Sequence, residues 1–147
     1  MRVAFTFFIV FLFLVSSCTK DEISKEDQLS SGKWQITEYT EVCYCGNINS
    51  IGWGTTKRDV YATYAACLRD DYFVFYKGGT VEVNEGPSKC DPAKPQFTTE
   101  GWYLNSDATR FSFRGKDWDI VQLNKTTFKI STLVLLGTGE TIAFSRI

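Results

Sequence analysis

Cysteines and carboxylates are the residues of this chain that could do chemistry, because histidine is absent. Without histidine, Ser-His and Cys-His nucleophile pairs and histidine-based zinc sites are excluded. The adjacent carboxylates Asp70 and Asp71 would face opposite sides of a strand, so they are not an acid/base pair. We therefore expect no enzyme activity, no metal and no cofactor. The five cysteines that remain are Cys18, Cys43, Cys45, Cys67 and Cys90.

Cys18 directly follows a segment that is typical of exported proteins. An apolar run from Val3 to Val15 comes after the single basic residue Arg2. About 20 apolar residues are needed to span a bilayer, whereas about 7 to 15 behind a basic start indicate a signal peptide. The residues L-V-S-S-C, Leu14 to Cys18, resemble the bacterial lipobox, which implies removal of residues 1–17 and acylation of Cys18. The alternative is a soluble secreted protein that is cut near the same place.

Residues 18–32 are polar and mixed in charge, and this composition predicts a flexible tether to a lipid anchor in the membrane. Within them, Lys20-Asp21-Glu22 resembles the export signal that sends lipoproteins of the Bacteroidetes group to the outer face of the outer membrane. The alternative is an ordinary solvated linker. We expect an outer-membrane lipoprotein, with exposure at the cell surface as one option.

The charge of the mature chain argues against nucleic acid as a partner. Removal of residues 1–17 takes away Arg2 alone, which leaves 15 basic against 17 acidic side chains. No stretch is dense in Lys and Arg, as a surface that neutralises phosphates would be.

From Lys33 to Ile147 the pattern is one of short alternating strands with turn residues between them. The clearest pair is Y-F-V-F-Y-K and T-V-E-V-N, joined by Gly78-Gly79, the two-residue linker that a primed hairpin turn prefers. We count eight strands and no long helix. Residues 33–147 therefore predict one all-β domain.

Eight strands with mostly short links predict an antiparallel up-and-down barrel, which leaves no sheet edge exposed. An open two-sheet sandwich is the alternative. One connection is long, from about Glu41 to Asp70, and its second half predicts a short helix that ends near Cys67. Connections of this length in compact domains are usually functional or poorly ordered, so we expect it to lie over one barrel mouth.

The strand pattern also predicts which side chains face the barrel interior. They are Trp34, Ile36, Phe73, Phe75, Val81, Val83, Trp102, Leu104, Phe111, Phe113, Trp118, Ile120, Phe128 and Ile130. Such rings normally form the core, each burying roughly 150 to 250 Å². If the lumen instead holds a ligand, the candidate contacts are Trp34, Trp53, Phe73, Phe75, Trp102, Phe111, Phe113 and Trp118. Trp53, between two glycines in the long connection, would meet a ligand or fold back on the rim.

Several short motifs together resemble the lipocalin-like domain of small bacterial lipoproteins. They are Gly32-Lys33-Trp34, Cys67-Leu68-Arg69-Asp70-Asp71 before an F-x-F strand, Gly78-Gly79-Thr80, Cys90, and the strand G-W-Y-L from Gly101 to Leu104. The resemblance covers about residues 29–147 and implies a small eight-stranded barrel. The pair Cys43 and Cys45 and the lack of a T-D-Y motif depart from that pattern.

Four cysteines besides Cys18 allow three disulfide pairings in an oxidising compartment. We favour Cys67 with Cys90, which would tie the end of the long connection to the far end of the hairpin. Cys43 and Cys45 could form a strained local disulfide, remain free thiols or take part in crossed pairing. A four-thiolate metal site is the remaining alternative.

Two functional hypotheses follow for this domain. In the first, the barrel binds a small apolar molecule at its mouth. In the second, the barrel is fully packed and has a structural role, docking on another envelope protein.

Overall fold

The regular secondary structure of the described residues is mainly β-strand. A computed structural model describes residues 23–43, 55–132 and 137–147. The strands there are β1 (Lys33–Cys43), β2 (Thr56–Asp59), β3 (Tyr72–Tyr76), β4 (Thr80–Asn84), β5 (Phe97–Leu104), β6 (Arg110–Phe113), β7 (Lys116–Leu123), β8 (Thr127–Ser131) and β9 (Thr138–Arg146). They are joined by two short helices, α1 (Lys25–Leu29) and α2 (Ala66–Arg69), and one 3-10 turn (Tyr61–Thr63). In these ranges, no helix has the length and apolar character that crossing a membrane would require.

Eight of the strands close into an antiparallel barrel. β3 to β9 follow one another as neighbours, and β9 pairs with β1 from Trp34↔Arg146 to Cys43↔Thr138. The first residues of β1 pair with β3, which completes the ring. The predicted all-β, up-and-down barrel of eight strands is therefore confirmed.

A ninth strand, β2, was not predicted. It pairs with the second half of β1 and lies in the long connection between β1 and β3. All four of its residues, T-K-R-D, are exposed, so it has no alternation of apolar and polar side chains that would reveal a strand. Its position depends on backbone pairing to β1, which local sequence does not encode.

The hairpin between β3 and β4 shows why its turn needs glycine. Gly78 and Gly79 both have positive φ, 87° and 90°, as the primed turn requires. A Cβ atom on Gly79 would lie 2.8 Å from the carbonyl oxygen of Trp102, whose own amide donates to the oxygen of Gly79 at 2.8 Å. The glycine thus lets β5 approach the turn closely.

The interior of the barrel is an aromatic core. All fourteen side chains that the sequence placed inside are either buried or packed against the buried cluster. Phe75 lies at the centre, with ring centroids 5.7 to 6.4 Å from those of Trp102, Phe111, Phe113 and Phe128. Most of these contacts are edge-to-face, the arrangement that ring quadrupoles favour. The core also includes Leu29, Leu123, Ile142 and Phe144, which the sequence analysis did not nominate.

One end of the barrel, here called the closed end, is covered by α1. The helix begins after Ser24, whose hydroxyl accepts a hydrogen bond from the amide of Asp27 at 3.0 Å. Leu29 at its end is fully buried, and its carbonyl accepts the indole N–H of Trp34 at 2.8 Å. The flexibility expected for residues 18–32 is therefore wrong for Lys25–Leu29. The capping Ser24, the buried Leu29 and the hydrogen bond from the ammonium of Lys25 to the carbonyl of Ala108 hold this short helix against the barrel.

The long connection reaches the opposite end, here called the mouth. The short helix predicted near Cys67 is present as α2. A disulfide joins Cys67 to Cys90, across 23 residues of chain, so the predicted pairing is confirmed. Cys43 is also disulfide-bonded, which excludes the free-thiol alternative for Cys43. The Cys67–Cys90 bond removes the crossed pairings and two of the four thiols that a four-thiolate metal site would need. Cys45 and Trp53 lie outside the described residues.

Candidate functional site

The aromatic side chains nominated as ligand contacts lie mainly inside the barrel. Those within the described residues are each no more than 7% exposed: Trp34, Phe73, Phe75, Trp102, Phe111, Phe113 and Trp118. All seven belong to one buried cluster, and the indole N–H of Trp102 donates to the carbonyl oxygen of Thr80 at 2.9 Å. They therefore act as core, as the packing hypothesis predicts. Of this set, only Phe73 also lines a space that a ligand could enter from the mouth.

That space, here called the mouth cleft, has a volume of about 200 Å³. It is lined by Ile36, Tyr64, Leu68, Asp71, Phe73, Val83 and Arg114. Engineered protein cavities of about 150 Å³ hold one benzene molecule, whereas sites for drug-sized ligands begin at about 300 Å³. The cleft is therefore the right size for one small molecule.

The barrel supplies the floor of the cleft and the long connection supplies its cover. Ile36, Phe73 and Val83 project inward from β1, β3 and β4, and they are apolar. Tyr64 and Leu68 come from the connection, where Leu68 directly follows the cysteine that is bonded to Cys90.

Hydrogen bonds and ring contacts attach this cover to the barrel. Gln35 donates through its side-chain amide to the carbonyl of Arg69 at 2.7 Å. Arg69 in turn donates to the carbonyl of Tyr64 at 3.1 Å, and its guanidinium lies over the ring of Tyr61. The ring of Tyr64 meets that of Tyr39 on β1 at 6.4 Å. The residues above the cleft are thus held in place from several directions.

Alternate residues of a strand face the same side, and this alternation along β3 and β4 places two carboxylates near the mouth. Asp71 has the same parity as the inward residue Phe73, and Glu85 has the same parity as Val83. The last register pair of the hairpin, Tyr72↔Asn84, places Asp71 and Glu85 opposite each other one step further on. Asp71 lines the cleft, whereas its neighbour Asp70 accepts the backbone amide of Ser88 at 2.9 Å. The expected divergence of the two adjacent aspartates is thus observed.

Burial dominates the electrostatics of Asp71. It raises the pKa of this carboxyl to about 6, and the charges of Glu85 and Asp70 act in the same direction, against a smaller opposing effect of Arg114. Burial also raises the pKa of Tyr64, and the negative charge of Asp71 acts in the same direction. Among the described residues, one buried oxygen each of Asp70, Asp71 and Glu85 has no hydrogen-bond partner. Such atoms are uncommon in folded proteins and need an explanation.

Arg114 closes the cleft from the turn between β6 and β7. It has φ of 52°, a left-handed conformation that is uncommon for residues other than glycine and asparagine. Its guanidinium donates to both carboxylate oxygens of Glu100 at 2.8 Å and lies 5.0 Å from the ring centroid of Phe113. Its charge is therefore already partnered within the protein.

A second groove, of about 350 Å³, runs along the outer wall near the closed end. Its lining includes Glu26, the two glycines of the β3–β4 turn and the exposed ring of Tyr103. This groove is larger than the mouth cleft, and its lining includes the inward residues Trp102 and Leu104 but no described residue of the long connection. The unpaired carboxylate oxygens belong to the mouth, and for this reason we take the mouth cleft as the candidate site.

The sequence analysis nominated Phe73 for this site and placed Ile36 and Val83 inside, but it missed Tyr64, Leu68, Asp71 and Arg114. The signal for Asp71 was available, because the inward parity of Phe73 and Phe75 extends one step back to it. No such signal exists for the others, which come from a connection and a turn. Comparisons with protein-family models, with curated proteins and with solved structures find no match.

Proposed function

We propose that this protein is a lipid-anchored envelope protein whose barrel binds one small, mainly apolar molecule in the mouth cleft. The observation that carries the proposal is the cleft between the apolar floor of Ile36, Phe73 and Val83 and the long connection above it. Apolar side chains around a concave space, with a few polar groups at its rim, are the usual composition of small-molecule sites. We assign the protein no catalytic step, no cofactor and no nucleic-acid partner.

The anchoring half of the proposal is supported by the N-terminal sequence. The lipobox-like residues before Cys18 imply acylation, and several acyl chains together make anchoring effectively permanent. Lys20-Asp21-Glu22 favours the outer membrane and its outer face. Cys18 and these three residues lie outside the described ranges. The barrel itself agrees with the lipocalin-like resemblance and supports this as the family assignment.

A second function, docking on an envelope partner without a small ligand, is favoured by a different observation. The centre of the barrel is filled by aromatic rings, while Phe97, Tyr103 and Val121 are more than half exposed on its outer wall. Exposed apolar side chains that stand singly are normal on protein surfaces, so this observation is weaker than the cleft.

Binding of a neutral probe, 2-phenylethanol, tests the small-molecule function. Titration into full-length protein in detergent micelles should shift the backbone amide resonances of Phe73, Val83 and Leu68 in a saturable way. Val83→Phe fills the cleft and should abolish these shifts. Val121→Phe, the same change on the outer wall, should leave them intact. Shifts that do not saturate, or that survive Val83→Phe, would favour the docking function.

Loss of the anchor tests the other half of the proposal. Cys18→Ser should remove labelling by radioactive palmitate and also prevent removal of residues 1–17, which raises the apparent mass of the protein. A Cys18→Ser protein that keeps the palmitate label would contradict acylation at this cysteine.

A further inference from the structure

The charged side chains around the mouth cleft are mainly acidic. Each of Asp70, Asp71 and Glu85 has a buried carboxylate oxygen that no described residue hydrogen-bonds. Asp71 and Glu85 project from the ends of β3 and β4 with the inward parity of the cleft's floor. These three oxygens are shielded from solvent, and Asp71 is the one of the three residues that lines the cleft. A donor from outside would therefore meet the carboxylate of Asp71, with the negative charges of Asp70 and Glu85 close by.

The nearby cations do not neutralise this rim. Arg114 gives two donors to Glu100, which leaves that ion pair close to neutral. Arg69 donates to the backbone carbonyls of Tyr64 and Ala62 instead of to a carboxylate. The acidic oxygens at the mouth therefore exceed the cationic donors that the described residues supply.

The floor of the cleft determines what kind of cation would fit. Ile36, Phe73 and Val83 offer apolar surface directly beside the carboxylate of Asp71, and Tyr64 adds an aromatic ring. An inorganic cation would gain nothing from this surface, whereas an organic cation would bury its hydrocarbon part there. Aromatic rings also attract ammonium groups.

We propose that the natural ligand is a small amphipathic amine, bound with its protonated amino group at Asp71, near the charge of Glu85, and with its apolar body on Ile36, Phe73 and Val83. This inference rests on the proposed small-molecule function and adds the chemical class of the ligand. Binding is non-covalent, and no proton is transferred at neutral pH, because the amine arrives protonated and the carboxylate accepts its hydrogen bond.

Three probes that share a phenylethyl body test the charge of the head group. They are 2-phenylethylamine, 2-phenylethanol and 3-phenylpropanoate, titrated into the full-length protein in micelles with the amide shifts of Phe73 and Val83 as readout. We expect the amine to bind about tenfold or more tightly than the alcohol, since a charge-assisted hydrogen bond contributes on that scale. The carboxylate should bind more weakly than the alcohol.

Two isosteric variants and one matched control locate the effect. Asp71→Asn should remove the preference of the amine over the alcohol, and Glu85→Gln should reduce it. Asp119→Asn, which changes a carboxylate on the outer wall that pairs with Arg110, should leave the preference intact. A thermal melt of each variant checks that it is folded.

The affinity for the amine should also rise with pH between 5 and 7, as Asp71 loses its proton. The groups that act on this carboxyl are Asp70 and Glu85, which raise its pKa, and Arg114, which lowers it, with Tyr64 facing it from the connection. The amine stays protonated over this range, because free alkylamines have pKa values of about 10.

Each outcome separates the inference from the function on which it rests. Equal affinity for amine and alcohol overturns the amine inference and leaves the small-molecule function standing. Tightest binding of 3-phenylpropanoate overturns it in favour of Arg114 as the specificity residue. Displacement of the amine by calcium chloride alone overturns it in favour of an inorganic cation. Saturable binding of none of the three probes removes the function and the inference together.

Discussion

The two ends of this barrel differ in how the chain covers the aromatic core. At the closed end, α1 covers the rings, Leu29 fills the opening, and Arg146 spans the gap by lying over Trp34 and donating to the carbonyl of Gln28. At the mouth, a disulfide and a few hydrogen bonds hold α2 above a cleft that the described side chains of the barrel leave unfilled. The closed end is packed as part of the core, whereas the mouth keeps an open cleft.

The unpaired polar atoms make the same contrast. At the closed end they are of mixed kinds, the amide oxygen of Gln28, the hydroxyl of Ser30 and Nε of Arg146. Near the mouth they include one carboxylate oxygen each of Asp70, Asp71 and Glu85, and the seventh such atom among the described residues is the indole nitrogen of Trp118 on β7. Three acidic side chains close together give this end a local excess of negative charge, which the mixed set at the closed end does not. The comparison teaches that the acidic rim of the mouth is the feature to perturb.

The largest effect should come from the closed end. Trp34→Ala removes a fully buried indole and its hydrogen bond to Leu29, so we expect the free energy of unfolding to fall by about 3–5 kcal/mol. Leu68→Ala, a partly exposed residue at the mouth, should change it by less than about 1 kcal/mol. Urea denaturation measures both. Equal losses would show that the mouth is packed as tightly as the closed end.

The disulfide should matter next, and mainly to the mouth. Cys67→Ser with Cys90→Ser releases a loop of 23 residues, for which the chain-entropy model predicts a loss of about 3 kcal/mol. Hydrogen exchange should become faster in α2 than in α1, because only α2 is held by this bond. Uniform acceleration over both helices would contradict the separation of the two ends.

A smaller effect is expected at Gly86, which lies beside the acidic rim. Its φ is 63°, and a Cβ there would lie 2.3 Å from the carbonyl oxygen of Asp70, so Gly86→Ala should destabilise the fold by about 2 kcal/mol. Gly115→Ala has the same kind of strain, φ of 71°, in open space and should lose only about 1 kcal/mol. Thermal melts compare the two, and equal losses would mean that the backbone at Asp70 can move aside.

The smallest effect is the pH dependence due to Asp71. Its pKa is about 6 in the fold against its usual 3.8, so the fold binds this proton more tightly than the unfolded chain does. The corresponding stability is present below about pH 4 and is lost as the pH rises through 6. Asp71→Asn should therefore gain stability relative to the parent between pH 4 and 7, by about 1 kcal/mol after allowance for solvent screening. A difference that is constant with pH would show that Asp71 is as solvated in the fold as in the unfolded chain.

Much of the fold could be predicted because it depends on local patterns. Alternation predicted the eight barrel strands and every nominated inward residue, and Gly78-Gly79 predicted the turn between β3 and β4. Alternation does not continue through the bulges between Ile36 and Glu38 and between Ile120 and Gln122, and Leu123, which packs against the core after the second bulge, was not nominated. A bulge changes whether the odd-numbered or the even-numbered residues of a strand face the interior, and the flanking residues contain no signal for it.

The candidate site could be predicted only in part, because its residues meet through long-range packing. Phe73 was nominated as a ligand contact together with the aromatic side chains of the core. In the structure it lines a cleft beside Asp71 and Arg114 instead. The position of Arg114 depends on closure of the barrel, which brings the β6–β7 turn to the same end as the start of β3. No local pattern encodes that distance.

The sequence by itself thus determined the class of the fold, its eight barrel strands and their inward faces, since period-two alternation is a property of the chain alone. It favoured Cys67 with Cys90 among three pairings, and the structure shows that bond. Only the tertiary structure decided which barrel end is filled and which is open. That choice depends on where α1 and α2 pack after the ring has closed. The same closure brings Asp71 and Glu85 to the rim of an apolar cleft, where burial raises the pKa of Asp71.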